Sequence, residues 1–135
     1  MTSTVKYSGE LRTVATHIKS GNSIITDAPT DNHGKGEAFS PTDLLATALG
    51  ACMLTVMGIY AERSQINIKG TMVEIEKIMG TEPRRVTEIK VKMIFPADLT
   101  LDEKQRKSLE NTALTCPVAK SLHPDLKQDI EFVYL

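Results

Sequence analysis

Residues 40–61 read SPTDLLATALGACMLTVMGIYA, and this stretch decides how the chain folds. Ser40 suits the N-cap of a helix, Pro41 suits the first helical position, and Asp43 can return a capping-box hydrogen bond. After Asp43 no residue is charged as far as Ala61, and apolar side chains occur all round the helical wheel. These features predict a long helix that begins after Ser40 and is buried on most sides.

An uncharged apolar stretch of this kind is also a candidate membrane span. It lies at the short limit of what a bilayer requires, about 20 apolar residues, and it contains threonine and glycine. It also stands alone in a sequence whose other segments are typical of a soluble protein. We therefore expect the central helix of a soluble domain and no membrane partner.

Short strands are predicted before this helix. Three runs rich in β-branched and aromatic residues are separated by Gly-containing turns, which predicts a small antiparallel meander. The segment after them mixes Pro, Gly, Asn and Asp without a period and predicts a loop. The three runs are Thr4–Tyr7, Leu11–Thr16 and Ser23–Thr26, and the loop is 27–36.

After the helix the apolar period changes to two, which is typical of strands. Ile66 and Ile68 together with Met72–Ile78 form one candidate strand, and Val86–Phe95 forms another. The turn residues 80–83 join them into a predicted hairpin with one buried and one wet face.

Two further helices and a last strand complete the predicted order. Thr100–Glu103 has the spacing of a capping box, and Thr115-Cys116-Pro117 predicts another helix start, which ends at His123-Pro124. Ile130–Tyr134 alternates as a strand. Runs of strands and runs of helices without regular alternation indicate the α+β class. We expect one domain over residues 1–135.

Composition excludes several kinds of function. The chain has 135 residues, 16 Lys and Arg against 17 Asp and Glu, and only three Tyr, three Phe and no Trp. This balance argues against a basic nucleic-acid surface and against an aromatic platform for single strands. Two cysteines are too few for a disulfide scaffold, and the polar start, Met1–Lys6, has no apolar core of a secretory signal. We expect a cytoplasmic protein without a nucleic-acid partner.

The motifs of most cofactor sites are also missing. The sequence has no glycine-rich phosphate loop, no Gly-x-Ser-x-Gly and no Cys-x-x-Cys. His17, His33 and His123 have no metal-ligand spacing with each other or with the cysteines. We therefore predict no metal and no organic cofactor, which leaves the two cysteines as candidates for chemistry.

Each cysteine has two interpretations at this point. Cys52, inside the apolar helix, is either a small buried hydrophobic residue or a reactive thiol. Cys116, with Thr115 as the expected cap and Pro117 after it, is expected in a first helical turn. There the free N–H groups and the helix dipole would lower the pKa of its thiol. The alternative is a first-turn residue without a chemical role.

Four segments carry a resemblance to a known family. They are Ser40–Cys52, Tyr60-Ala-Glu-Arg63, Pro83-Arg-Arg85 and Cys116-Pro-Val118. With the matching order of elements, the chain resembles the osmotically inducible protein C and organic hydroperoxide resistance (OsmC/Ohr) family, and within it the OsmC-like branch. The resemblance implies an OsmC-like fold in an intertwined homodimer with two sites at the subunit interface.

The resemblance also implies a reaction. Enzymes of this family reduce peroxides by thiol chemistry in stress defence. Carried over, Cys52 attacks the O–O bond and becomes a sulfenic acid, Cys116 condenses with it to a disulfide, and an external dithiol restores both. The apolar surroundings of Cys52 favour an organic hydroperoxide, with hydrogen peroxide left open. A non-catalytic small-molecule-binding or redox-sensing protein on the same fold is the alternative.

The family further provides an arginine from the N-terminal strands to stabilise the thiolate. Arg12 is the only arginine in that part of the chain and is therefore the candidate. Arg84 and Arg85 are alternative cations at the hairpin turn. Where the hydroperoxide branch has a glutamate after the proline, this chain has Thr42, which cannot form an ion pair. We expect Arg12 to lack this carboxylate partner, with a cost to peroxidase efficiency.

Overall fold

The computed structural model describes Met1–Leu135, in which the chain forms two units, Met1–Leu45 and Ala46–Leu135. The elements are six strands, three α-helices and one 3₁₀ turn, so the predicted α+β class is confirmed. The expectation of a single domain stays a prediction.

The first unit contains the predicted antiparallel meander. Strands β1 (Ser3–Gly9), β2 (Arg12–His17) and β3 (Ser23–Asp27) form a sheet in the order β1-β2-β3. The register pairs Thr16 with Ser23 and, at the other end, Arg12 with Asp27. The first unit therefore places a cation and a carboxylate opposite each other on neighbouring strands.

The predicted loop after β3 is held by backbone hydrogen bonds and contains a 3₁₀ turn, Thr30–Asn32. The N–H of Ala28 donates to the carbonyl oxygen of Leu11 at 3.1 Å, and the carbonyl oxygen of Ala28 accepts the N–H of Gly36 at 3.2 Å. A Cβ atom on Gly34 would lie 1.7 Å from the Ala28 carbonyl oxygen, so only glycine fits there. The loop therefore has a defined path beside the start of β2.

Helix α1 (Pro41–Arg63) begins where the sequence predicts. The side chain of Ser40 accepts a hydrogen bond from the N–H of Asp43 at 3.0 Å, and Asp43 accepts one from the N–H of Ser40 at 2.9 Å. This reciprocal pair is the predicted capping box. The helix ends two residues beyond Ala61.

The expectation that α1 is buried on most sides is wrong for the single chain. Its fully buried residues recur every three or four positions and form one face. The opposite, outer stripe of α1 is exposed although most of it is apolar, and Ile59 is 48% exposed. An apolar sequence shows that a helix can be covered, but not how many of its sides have neighbours within the chain. The outer stripe is Ala48, Ala51, Thr55 and Ile59.

Helix α1 is long and apolar enough to pass a length-and-composition test for a membrane span. Its buried face, however, belongs to the hydrophobic core of the second unit. This is the behaviour expected of the central helix of a soluble protein.

The second unit has a three-stranded sheet in the order β4-β5-β6. β4 (Met72–Gly80) and β5 (Arg85–Phe95) form the predicted antiparallel hairpin, and β6 (Lys127–Tyr134) pairs with β5 in parallel. The prediction that Ile66 and Ile68 belong to the first of these strands is wrong. The N–H of Ile66 instead donates to the carbonyl oxygen of Ala61 at 2.8 Å and closes the end of α1.

The core of the second unit lies between the sheet and the helices α1, α2 (Glu103–Leu114) and α3 (Pro117–Ser121). A Cβ atom on Gly50 would lie 2.7 Å from Ile75 Cδ1 and 3.0 Å from Val73 Cγ2, so α1 packs closely on β4. β5 contributes the alternating residues Ile89, Val91, Met93 and Phe95.

Helix α2 begins later than the sequence pattern predicts. The expected capping box at Thr100–Glu103 is wrong, because Asp102 is the N-cap. Asp102 accepts the N–H of Gln105 at 2.7 Å, and Gln105 accepts the N–H of Asp102 at 3.0 Å. Both residue sets fit the capping-box pattern, and the carboxylate at the later position forms it.

Candidate functional site

The structure brings the two cysteines together. Cys52 lies half-buried in the middle of α1, and Cys116 lies between α2 and α3. Both are free thiols, and Cys52 lies near enough to Cys116 to raise the pKa of the Cys116 thiol. The two thiols are near each other because Cys116 is part of the core on which α1 packs, and Cys52 borders the same core.

Cys116 is itself the N-cap of α3, so the expectation that Thr115 is the cap is wrong. The Cys116 backbone is extended, with φ −64° and ψ 153°, and its Sγ accepts the N–H of Ala119 at 3.4 Å. Thr115 ends α2 instead, and its hydroxyl group donates to the carbonyl oxygen of Asn111 at 3.0 Å. The thiol is therefore held at the start of α3 in a fixed orientation.

The expected lowering of the Cys116 pKa is also wrong. Burial is the largest effect and raises the pKa of this thiol, because the charged form loses its hydration. The neighbouring Cys52 sulfur raises it further, whereas the N–H groups of Ala119 and Val118 lower it. Cys116 is only 1% exposed. The lost hydration of its thiolate therefore outweighs the stabilisation that the N–H groups at the start of this short helix provide.

The two thiols are therefore unequal. Cys116 is a buried group whose raised pKa keeps its thiol protonated. Cys52 is the more exposed sulfur of the pair. Such a pair suits an accessible sulfur that is oxidised first and a protected sulfur that closes a disulfide.

Arg12 lies in the first unit and has the carboxylate partner that the sequence was expected to lack. Its Nε donates to Asp27 Oδ1 at 2.7 Å and its Nη2 donates to Asp27 Oδ2 at 2.8 Å, a bidentate pair. Nη2 also donates to Glu37 Oε1 at 3.4 Å. Thr42 supplies no carboxylate, as expected, but Arg12 still has carboxylate partners, which come from β3 and from the loop after it.

Asp27 is the anchor of this cluster. Its side chain is only 1% exposed, and its Oδ2 also accepts the N–H of Glu37 at 3.1 Å. The hydrogen bonds from Arg12 hold the pKa of the Asp27 carboxyl below its ordinary value, against the opposing effect of burial. Sequence reasoning missed Asp27, although counting outward from the facing ends of the predicted runs, with Thr16 opposite Ser23, places Asp27 opposite Arg12.

The three sequence-predicted site residues fall in different units. Cys52 and Cys116 belong to the second unit and meet there, whereas Arg12 belongs to the first. A role for Arg12 beside Cys52 stays a prediction. Of the alternative cations, Arg85 binds the turn between β4 and β5, where its Nη1 donates to the carbonyl oxygens of Thr81 and Pro83. No group of three or more His, Cys, Asp or Glu side chains is arranged to hold a metal ion.

The pH dependence of stability should report the Arg12–Asp27 pair. Because folding lowers the Asp27 pKa, the pair stabilises the fold above the unfolded value of about 3.9, and this contribution is lost as the pH falls through the folded value. Asp27→Asn should therefore lower the free energy of unfolding at about pH 7, and its difference from wild type should shrink at about pH 3. Urea unfolding measures both.

The matched control is Asp98→Asn, which removes an exposed carboxyl group. It should change the free energy of unfolding less than Asp27→Asn does at about pH 7. Equal stability of wild type and Asp27→Asn at that pH would contradict the assignment of Asp27 as the anchor.

Comparison with known proteins places the chain in a family. The family described as OsmC-like protein matches residues 34–131. No relative was found among the curated proteins. Among solved structures, a proposed osmotic stress induced and detoxification response protein from Psychrobacter arcticus 273-4 is 56% identical, with a TM-score of 0.93, over 98% of this chain and 95% of that chain.

More distant structures share the fold. An OsmC-like protein from Mycoplasma pneumoniae is 18% identical, with a TM-score of 0.81, over 98% of this chain and 95% of that chain. An organic hydroperoxide resistance protein from Elizabethkingia anophelis is 14% identical, with a TM-score of 0.76, over 100% of this chain and 97% of that chain. The predicted fold and family are thereby confirmed, and this chain belongs to the OsmC-like protein family.

Proposed function

We propose that this protein is a thiol-dependent hydroperoxide reductase that acts through Cys52 and Cys116. The observation that carries the proposal is that two free thiols lie near each other at one hydrophobic core, one half-buried at its border and one fully buried in it. The names of similar proteins, which refer to organic hydroperoxide resistance and to stress-induced detoxification, support the same chemistry.

The first step is oxidation of Cys52. Its thiolate attacks the terminal oxygen of the hydroperoxide, the O–O bond breaks, and the leaving alkoxide takes up a proton to give the alcohol. Cys52 becomes a sulfenic acid. Cys52 takes this role because it is the more exposed sulfur and because Cys116 is held protonated beside it.

The second step closes the disulfide. The Cys116 sulfur attacks the Cys52 sulfenic acid, an S–S bond forms, and the hydroxyl group leaves as water with the Cys116 proton. The oxidant is then spent, and an external dithiol must supply two electrons and two protons to restore both thiols. The two thiols and this external dithiol account for the electrons and protons of the whole cycle.

An organic hydroperoxide is the proposed substrate class. Cys52 lies on a helix whose accessible neighbouring side chains are apolar, including the half-buried Val56 and the exposed Ile59. Burying a hydrocarbon tail against such a surface contributes about 0.8 kcal/mol per CH₂ group. Hydrogen peroxide would use the same thiol but would gain nothing from this surface.

Arg12 is proposed to favour the Cys52 thiolate, as the family resemblance implies. Asp27 holds the Nε and Nη2 side of the guanidinium, so the structure fixes the orientation of this cation within its own unit. A positive charge near a thiol favours the ionised form and so increases nucleophilic attack.

The proposed assembly is a homodimer of the cytoplasm. The outer stripe of α1 exposes apolar side chains along a long helix, and β1 and β3 expose Val5, Tyr7 and Ile24. Apolar surface of this extent on a soluble protein marks an interaction site. A second copy of the chain is the occupant that the resemblance implies.

A single-turnover assay tests the reaction. Reduced protein mixed with cumene hydroperoxide should consume one peroxide and lose two thiols per chain, and continue only when a dithiol is added. Cys52→Ser should lose at least about 99% of the rate, since the attacking sulfur is gone. Cys116→Ser should consume one peroxide and lose one thiol. Equal slow consumption by wild type and Cys52→Ser would contradict the proposal and favour a binding or redox-sensing role.

Alkylation of Cys52 tests Arg12. In a Cys116→Ser background, the rate of reaction with iodoacetamide should rise with pH, and Arg12→Ala should move this profile to higher pH, since a cation that favours the thiolate is lost. Arg85→Ala, which removes an arginine used at the β4–β5 turn, should leave the profile unchanged. An identical profile for wild-type Arg12 and Arg12→Ala would remove Arg12 from the site.

Sedimentation velocity tests the dimer. The wild type should sediment as about two chains of 14.8 kDa each. Ile59→Glu, which places a charge on the outer stripe of α1, should shift the protein toward monomer while circular dichroism stays unchanged. Lys107→Glu on the polar face of α2 is the control and should stay dimeric. A monomeric wild type would contradict the proposed assembly.

A further inference from the structure

The two sulfurs of the proposed disulfide differ in how an external thiol can reach them. Reduction requires a thiolate to attack one sulfur along the S–S bond while the other sulfur leaves. Cys116 is 1% exposed and is enclosed by the core of the second unit. Cys52 is half-buried on α1. Within the single chain, exposure therefore favours attack at Cys52, the sulfur to which the proposed function assigns the peroxide.

We propose that the external reductant attacks the Cys52 sulfur and that Cys116 is the leaving group, so that the reduction intermediate is a mixed disulfide on Cys52. This inference rests on the proposed function, since it concerns the disulfide formed by that reaction. The new point is which of the two sulfurs the reductant attacks.

The surroundings of Cys116 suit a leaving thiolate. Its Sγ accepts the N–H of Ala119 at 3.4 Å, and the N–H of Val118 also favours its charged form. In the reduced pair the Cys52 side chain opposes ionisation of Cys116. In the disulfide Cys52 carries no charge, so this opposition is absent when Cys116 leaves. The N–H groups are then in place to hold the new negative charge.

The electrons and protons of the step balance. The reductant thiolate forms an S–S bond to Cys52, the Cys52–Cys116 bond breaks, and its electron pair stays on Cys116. The buried Cys116 thiolate then takes up a proton, as its burial favours. The second thiol of the dithiol attacks the reductant's own sulfur in the mixed disulfide, which releases Cys52 as a thiolate and the reductant as its disulfide.

The inference assigns two roles to one accessible sulfur. Cys52 would receive first the peroxide and later the reductant, while Cys116 would never contact either. The direction of regeneration would then follow from the position of Cys116 as a buried N-cap and not from the chemistry of the reductant.

Trapping the mixed disulfide tests the proposal. The intramolecular disulfide is formed with diamide, which requires no peroxidase activity, and the oxidised protein is treated with excess 2-mercaptoethanol. Free thiols are blocked with N-ethylmaleimide in acid, and the peptides are mapped by mass spectrometry. Mercaptoethanol should be found on the Cys52 peptide at least about tenfold more often than on the Cys116 peptide. A majority on Cys116, or equal amounts, would overturn the proposal.

A second measurement keeps the test decisive if the mixed disulfide is too short-lived to trap. Cys116→Ser and Cys52→Ser each leave one sulfur, which is labelled with thionitrobenzoate, and dithiothreitol is added. The label on Cys52 should be released at least about tenfold faster than the label on Cys116. Equal rates, or faster release from Cys116, would overturn the proposal.

The proposed direction of reduction and the proposed peroxidase function can fail independently of each other. If diamide forms the disulfide and the adduct is found on Cys52 but peroxide is not consumed, the direction of reduction stands and the peroxidase proposal fails. If peroxide is consumed through Cys52 but the adduct is found on Cys116, the peroxidase proposal stands and the direction of reduction is wrong.

Discussion

Packing of one face of α1 against the β4-β5-β6 sheet is the interaction on which the second unit depends. Gly50 lets the helix approach Ile75 and Val73 closely, and Leu49, Met53 and Met57 are fully buried beside it. Each such side chain contributes about 1.5–3 kcal/mol on burial. Because α2 and α3 complete the same core, this packing also fixes where the two cysteines lie.

The chemistry of the site follows from that placement. The core buries Cys116 completely and leaves Cys52 at its border, so one packing arrangement gives two identical side chains different exposure to solvent. Desolvation raises the pKa of Cys116, although it caps a helix. In the first unit the opposite balance holds, because the hydrogen bonds from Arg12 outweigh the burial of Asp27 and keep its carboxyl ionised.

Local sequence signals predicted most helices and strands, but not which neighbours pack against each of them. The capping box at Ser40 and Asp43 and the β4–β5 hairpin were predictable because their determinants lie a few residues apart. The start of α2 was not, since two overlapping patterns fit the same capping geometry. The exposed outer stripe of α1 was not predictable either, because apolar composition does not show which side has a neighbour.

The site was predictable to a similar extent. The two cysteines could be chosen from residue type and family resemblance, but their proximity and their unequal burial depend on tertiary packing. Asp27 was missed because the search followed a family position, Thr42, whereas the structure supplies the carboxylate across a strand pair. Once Thr16 is set opposite Ser23, counting along the two strands places Asp27 opposite Arg12, so this partner could be found from the sequence.

The central claim is that Cys52 and Cys116 of one chain are close enough to form a bond when the protein meets a peroxide. Intact mass spectrometry under denaturing, non-reducing conditions tests it after one equivalent of cumene hydroperoxide. The account predicts a single chain that is lighter by two hydrogen atoms, with a Cys52–Cys116 linked peptide on digestion. A chain heavier by oxygen atoms, or two chains joined through their cysteines, would contradict it.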